Sequence, residues 1–369
     1  METADPGARD ATGTDRTGAG PGAGPEGRPG EGPAERSGAR AGEGAGTGSG
    51  TGPAPADAPR GTAVVFPGMG PQDFAAVGKF LIVNPVAAAL VAEASETLGY
   101  DLFRAYRDSA GDYSEAAQVA FLTTCTALAR WSAERGDEPP GHIAGPSFGG
   151  KAAAVHSGAL GFADAVRLTA QLARHEADYF AREQPDVVTH SFARTPADAL
   201  TEIRAELDAM GEWHEISCHI DTDFHMLSLS RERLEWLGKR IRAAGGMPLY
   251  TMDPPMHCSV FAPLRDRVEA EVFPELAFTD PHTPVVADQD GSVRATADGV
   301  RRMLLDGFVE PVRWPDVVAS LTARGVRDLR VCGPDSLFGR VPVTTRAFRV
   351  TPVDPRTALR RAPRPAAAV

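Results

Sequence analysis

The sequence has few cysteines, and none of them are paired. Four stand far apart, Cys125, Cys218, Cys258 and Cys332, with no C-x-x-C among them. That argues against a disulfide framework and a zinc cage, predicts no bound metal, and points to a reducing, cytoplasmic setting. Long apolar runs are missing too, so no membrane span is expected, and the N-terminal stretch lacks the apolar segment of a signal peptide. Residues 1–60 hold almost no large apolar side chain. Their Gly, Ala, Pro and Thr cannot bury enough surface to offset ordering entropy, so this extension is expected to be disordered and dispensable. Positive charge is also short. A formal net charge of −11 argues against general nucleic-acid binding and leaves room only for local basic patches. The tail at 352–369, with Arg356, Arg360, Arg361 and Arg364 among prolines and alanines, is expected to be flexible. What remains suits one sizeable domain, or a domain carrying an insertion.

Within that span the most informative run is Gly145-Pro146-Ser147-Phe148-Gly149. It reads as a serine on a sharp turn between a short apolar strand, His142–Ala144, and a helix opening at Gly149. Small flanking residues let strand and helix approach closely, and the turn holds the hydroxyl clear of its neighbours. The helix N-terminus offers unpaired N–H groups where an oxyanion would form. The same residues, extended to Gly150-Lys151, also match a phosphate-cradling loop. That reading fails on mechanical grounds: Ala152 stands where a magnesium-holding hydroxyl is needed, and Pro146 removes a backbone N–H.

Periodicity outlines the rest. Thr62–Phe66 is an apolar strand feeding the tight loop Pro67–Pro71; helices are expected at 84–98, 114–135 and 162–180. From 186 to 252 the order is β-α-β-β-α-β, with strands at 187–193, 214–220, 225–229 and 247–252 and helices at 196–210 and 231–244, the ferredoxin-like unit. An α/β pattern surrounds it, at 61–185 and 253–351, implying a mainly parallel sheet covered on both faces. The metal-friendly run Cys218–His225 falls on a strand-turn-strand, where alternation is expected to point its side chains to opposite faces. Cys258 reads as a packed neighbour of His257.

Taken together these segments resemble the malonyl-CoA:acyl-carrier-protein transacylase family, which includes the acyltransferase domains of polyketide synthases. Phe66-Pro67-Gly68-Met69-Gly70 is similar to the family's F-P-G-Q-G, Gly145–Gly149 to its G-H-S-x-G, and Pro255-Met256-His257 to its P-S-H, about 110 residues after the serine. Glu310-Pro311-Val312-Arg313-Trp314 and Val331-Cys332-Gly333-Pro334 resemble its C-terminal signatures. The resemblance implies an α/β-hydrolase-like large subdomain with an inserted ferredoxin-like small one. It implies Ser147 as nucleophile, His257 as base, the N–H groups of Met69 and Phe148 as oxyanion hole, and the Gly307 carbonyl orienting the histidine. It also implies a monomer with no bound cofactor, acting on acyl thioesters carried by the phosphopantetheine arm of an acyl carrier protein or by CoA.

Three departures bear on the acyl group. The family's malonyl enzymes hold the substrate carboxylate with an arginine 25 residues after the serine, and here that position is Leu172. Arg174 lies two residues on, swung about 200° around the helix; a local shift that lets Arg167 or Arg174 reach in stays open. Met256 and Pro146 replace small polar and histidine residues beside the catalytic pair. With these three lining it, the pocket is expected to take an acyl group without a free carboxylate. Three functions follow: transfer of a non-malonyl, for instance aminoacyl, group as in stand-alone macrolactam acyltransferases; ordinary malonyl transfer; or hydrolysis of stalled acyl carriers. Lys151, Arg301, Arg302 and Arg313 are candidates for docking the acidic carrier.

Overall fold

The computed structural model describes residues 61–70, 73–109 and 111–360; the extension at 1–60 lies outside the described residues. β1 (Gly61–Val65) and β2 (His142–Ala144) begin the large sheet. The small sheet follows with β3 (Val187–Ala193), β4 (His214–Asp221), β5 (Phe224–Ser230) and β6 (Met247–Met252). The chain then returns through β7 (Val285–Val286), β8 (Val293–Arg294), β9 (Val312–Arg313), β10 (Val326–Cys332) and β11 (Arg349–Val353).

The large sheet has the order β11-β10-β1-β2-β7-β8, parallel throughout except for the β7–β8 pair. Period-two alternation splits β1 between two cores: Val64 packs into the larger cluster, with Phe80, Phe121 and Leu128, while Ala63 and Val65 face the second, with Trp314, Val317 and Leu329. The helix Glu115–Glu134, capped by the Ser114 hydroxyl, runs through the first core with nearly every residue of its middle buried.

The small sheet has the order β6-β3-β5-β4 in antiparallel pairing, and the helices Ala197–Ala209 and Leu234–Ala243 cover it. This is the β-α-β-β-α-β unit. Its core of Phe192, Ile203, Leu207, Leu227, Leu229, Leu237 and Ile241 is its own. A fifth strand, β9, joins β4 in parallel, so the Pro311-Val312-Arg313-Trp314 segment ties the small sheet to the large subdomain.

One helix adds to those expected, and one expectation needs correction. The helix Phe74–Val83, capped by Asp73, precedes the helix Pro85–Leu98. Its run of apolar residues has no clear period, because one face packs in the core while Ile82 and Val83 lie exposed. The tail is also not flexible from 352: Pro352 lies in β11, paired with Val331 of β10, and a short helix Pro355–Ala358 follows. β11 is an edge strand, where a residue without an N–H is tolerated because one side makes no ladder bonds. Residues 361–369 lie outside the described residues. No single described helix is long and apolar enough to cross a membrane, and all four cysteines are buried and free.

Candidate active site

The parallel strands β1, β2 and β7 end side by side, and the site is built at their C-terminal edge, the usual place for ligands in such sheets. Ser147 adopts φ 54°, a left-handed conformation that a non-glycine residue holds only when its surroundings enforce it. The glycines show why: a Cβ on Gly145 would lie 2.2 Å from the Gly149 carbonyl oxygen, and one on Gly149 would lie 2.1 Å from that of Phe66. Backbone bonds from Gly149 to Pro146 and from Gly150 to Ser147, each 3.0 Å, close the turn and start the helix Gly149–His156.

His257, also left-handed at φ 66°, arrives on the segment after the small subdomain and brings Nε2 within 2.8 Å of Ser147 Oγ. The Cys258 N–H donates to the Phe308 carbonyl at 3.2 Å and fixes this segment. Burial lowers the His257 pKa to about 4, with the Gly307 carbonyl acting in the opposite sense on the ring. No hydrogen bond of full geometry closes on Nδ1. The imidazole is therefore neutral near pH 7, and proton acceptance at Nε2 requires the tautomer with its proton on Nδ1, toward that carbonyl. The N–H groups of Met69 and Phe148 donate to no described acceptor. Both residues line the same cavity as Ser147 and His257. A half-buried serine hydroxyl held at 2.8 Å by a buried, neutral histidine can form and break an acyl ester.

One neighbour was not apparent from sequence motifs. Asp288 follows β7 by two residues, and because Val286 pairs with Ala144 of β2 its carboxylate arrives beneath the serine turn. Its Oδ2 accepts the Ser147 N–H at 2.6 Å. Burial pushes its pKa up to about 7, against the stabilising Ser147 N–H, and Asp290 and Glu310 push it the same way as burial. The legible signal was an acidic residue directly after an apolar strand of the main sheet.

The cavity, about 100 Å³, runs from Ser147 past Leu168 and Leu172, with Met256, Met303 and Phe308 among its walls. Leu172 is buried and lines it as expected, as does Met256. Neither neighbouring arginine reaches in: Arg174 makes a two-pronged pair with Glu115 at 2.6 and 2.8 Å, and Arg167 pairs with Asp164, both on the exposed side of the helix Phe162–Arg182. Pro146 is not a pocket residue; it is buried in the turn, where its carbonyl accepts the Gly149 N–H.

Lys151 is not a surface docking residue. It is buried in the cavity wall with its ammonium 4.0 Å from the centre of the Phe148 ring, and burial lowers its pKa to about 8. One helical turn after Ser147, the helix Gly149–His156 points it inward. Of the other basic candidates, Arg301 is half-buried, paired with Glu269 at 3.0 Å and laid over Phe273. Arg302 is exposed with Asp298 at 3.3 Å. Arg313 is exposed on β9 and makes no ion pair among the described residues.

In the Cys218–His225 run, His219 and His225 do not point apart. They are paired across the β4–β5 hairpin, so they share a face, with Nδ1 atoms 3.2 Å apart. The described residues nevertheless contain no group of side chains that could hold a metal ion. Cys258 is buried, with its thiol pushed up to about 12 by burial, as expected of a packed neighbour.

Comparison with known proteins agrees with this architecture. Residues 191–252 match the family described as the VinK acyltransferase small domain. The chain is 28% identical over 287 residues to the malonyl CoA-acyl carrier protein transacylase of Escherichia coli strain K12, covering 75% of this chain and 90% of that one. The same identity holds over 308 residues with the Bacillus subtilis strain 168 enzyme, covering 80% and 94%. Among solved structures, a malonyl-transacylase in complex with its type II PKS acyl-carrier protein matches at TM-score 0.71 and 26% identity, covering 81% of this chain and 99% of that one. The Coxiella burnetii malonyl CoA-acyl carrier protein transacylase matches at TM-score 0.72 and 25% identity, covering 82% and 96%.

Proposed function

We propose that this chain, which belongs to the malonyl-CoA:acyl carrier protein transacylase family, is a Ser–His acyltransferase that moves a non-malonyl acyl group onto or between acyl carrier proteins in polyketide or macrolactam biosynthesis. In the first half-reaction Ser147 Oγ attacks the thioester carbonyl while His257 Nε2 takes its proton. The Met69 and Phe148 N–H groups hold the oxyanion, the C–S bond breaks, and the imidazolium returns the proton to the leaving thiolate. The second half-reaction runs the same steps in reverse, with the phosphopantetheine thiol of an acceptor carrier attacking the acyl-serine. No metal or redox cofactor enters this chemistry.

The observation that carries the non-malonyl reading is Leu172, buried in the cavity wall, with Arg167 and Arg174 both committed to partners outside it. A malonyl carboxylate against leucine is desolvated and unpaired. A malonyl-transfer reading draws instead on Lys151, the one ammonium among the cavity residues. Loading assays separate the two. Malonyl-CoA is expected to load Ser147 poorly, and Leu172→Arg to raise malonyl loading by roughly tenfold or more while lowering that of the native group. Efficient malonyl loading by the unaltered protein would restore malonyl transfer. Hydrolysis is distinguished by incubating acyl-loaded carrier with and without an empty second carrier; loss of acyl group without transfer would make the protein an editing hydrolase.

The carrier reading predicts a basic contact beside the cavity mouth. Arg313, exposed on β9 at the edge of the small sheet, makes no ion pair among the described residues; Arg302 is exposed but shares its charge with Asp298, and Arg301 is held by Glu269. The double change Arg302→Glu with Arg313→Glu is expected to slow transfer from a carrier several-fold more than loading from an N-acetylcysteamine thioester, with the gap widening at low salt. Equal losses with both donors would leave the carrier surface elsewhere.

A further inference from the structure

The acyl cavity stops just short of a second space. Its far end carries Gln118, Lys151 and Glu176, the last buried one helical turn beyond Leu172 on the helix Phe162–Arg182. Gln118 Nε2 donates to the Glu176 carboxylate at 3.3 Å and to the Tyr113 carbonyl at 3.2 Å, so Tyr113 stands at this end. On the other side of Tyr113 lies a pocket of about 370 Å³, against about 100 Å³ for the cavity, with Asp112, Tyr250 and Asp253 in its walls. Tyr113 is the one described residue that lines both spaces.

The rest of the partition is main chain. Alternation along the end of β6 and the residues after it turns Met252 and Pro254 into the cavity, half-buried. Thr251 and Asp253 face the outer pocket and are exposed, with Asp253 paired to Arg231. Pairing of Thr251 and Met252 with His190 and Thr189 of β3 fixes this half, and no side-chain substitution opens it. Tyr113 is anchored as well. Gln118 holds its carbonyl, and the next residue, Ser114, caps the helix Glu115–Glu134 by accepting the Ala117 N–H at 3.2 Å. The half-buried ring therefore stands on a fixed backbone between a small cavity and a larger one. Lys151 and Glu176, opposite in charge, give the cavity end its polarity, but neither reaches the outer pocket, so they do not set its length.

We propose that Tyr113 sets the length of acyl chain the site accepts. Its ring closes the cavity behind a short linear acyl group bound through Ser147, and shortening it joins the cavity to the outer pocket. This rests on the acyl-serine reading above and assigns the size class of the substrate.

The test uses the full chain with butyryl and octanoyl N-acetylcysteamine thioesters, following initial loading of Ser147 by intact mass. Butyryl is expected to load roughly tenfold or more faster than octanoyl, because four further methylenes must displace a packed wall. Tyr113→Ala should raise the octanoyl-to-butyryl ratio by roughly tenfold or more, with the octanoyl rate itself rising. Tyr113→Leu, which keeps more of the apolar contact, should shift the ratio in the same direction and serves where the alanine variant does not fold. Tyr113→Phe keeps the ring and should leave the ratio where it was. A ratio that moves as far in Tyr113→Phe as in Tyr113→Ala would assign the effect to the hydroxyl and overturn the proposal. Octanoyl loading as fast as butyryl in the unaltered protein overturns it without any variant, and so does an unchanged ratio in folded Tyr113→Ala or Tyr113→Leu. Failure of both thioesters to load would instead strike at the acyl-serine reading and take this inference with it.

Discussion

Ser147→Ala is expected to abolish covalent acyl loading, and His257→Ala to slow it by roughly 10⁴-fold or more. The serine hydroxyl is a poor nucleophile near neutral pH, and in this site only His257 Nε2, 2.8 Å away, lies within hydrogen-bond reach of Oγ to take its proton. The two N–H groups of Met69 and Phe148 survive both substitutions, so a small residual rate in His257→Ala is the measure of what they contribute. The depressed pKa of His257 adds a pH signature. A base works deprotonated, so activity falls as pH drops through its pKa. With that value held near 4 by burial, the loading rate should hold from pH 8 to about 5.5, below where an ordinary imidazole would already be charged. Intact mass of the acyl-enzyme at short times measures both. Undiminished loading in either variant, or a rate that halves near pH 6.5, would remove His257 from the role of base.

Much of the site was legible because it rests on local constraints that the sequence states directly. Gly145 and Gly149 have no room for a Cβ, so the turn cannot be written with other residues, and the serine between them is marked. The β-α-β-β-α-β unit was readable because Val187–Ala193 alternates, the Asp221-Thr222-Asp223 turn separates two short strands, and each helix keeps one apolar face. What escaped notice depends on partners distant in sequence. Asp288 reaches Ser147 only through the β2–β7 register, across 141 residues of chain. Lys151 looked like a surface charge because charged residues near turns usually are, but here the first turn of its helix faces the cavity. Glu176 could have been found: it falls at the helical repeat of Leu168 and Leu172, on a face that is otherwise buried. The histidine pair on β4 and β5 shows the limit of alternation as a guide. It assigns faces within one strand, whereas the hairpin register decides which residues meet across two.

Asp288→Asn is expected to stabilise the protein at pH 8 and to do little below pH 4. The carboxyl is 5% exposed, and burial is the largest influence on its pKa, raising it from an ordinary 3.8 to about 7. A group whose folded pKa lies above its unfolded value contributes stability that is fully present below the unfolded pKa, here below about pH 4. That contribution is lost as pH rises through the folded pKa near 7. At pH 8 the folded state therefore carries an ionised, buried carboxylate at a cost of up to roughly 4 kcal/mol. Asparagine retains a side-chain oxygen to accept the Ser147 N–H and cannot ionise, so the turn is still held while the cost disappears. Thermal melts across pH 3.5 to 8 should show the wild-type midpoint falling relative to the variant, with a gain of several degrees for Asp288→Asn at pH 8 that narrows by pH 5 and approaches zero below pH 4. A carboxylate kept at such a cost beside the reacting serine is a candidate for stability given up to function. Parallel pH dependence of the two melting curves would show that Asp288 stays neutral in the folded protein and acts only as an acceptor for the serine backbone.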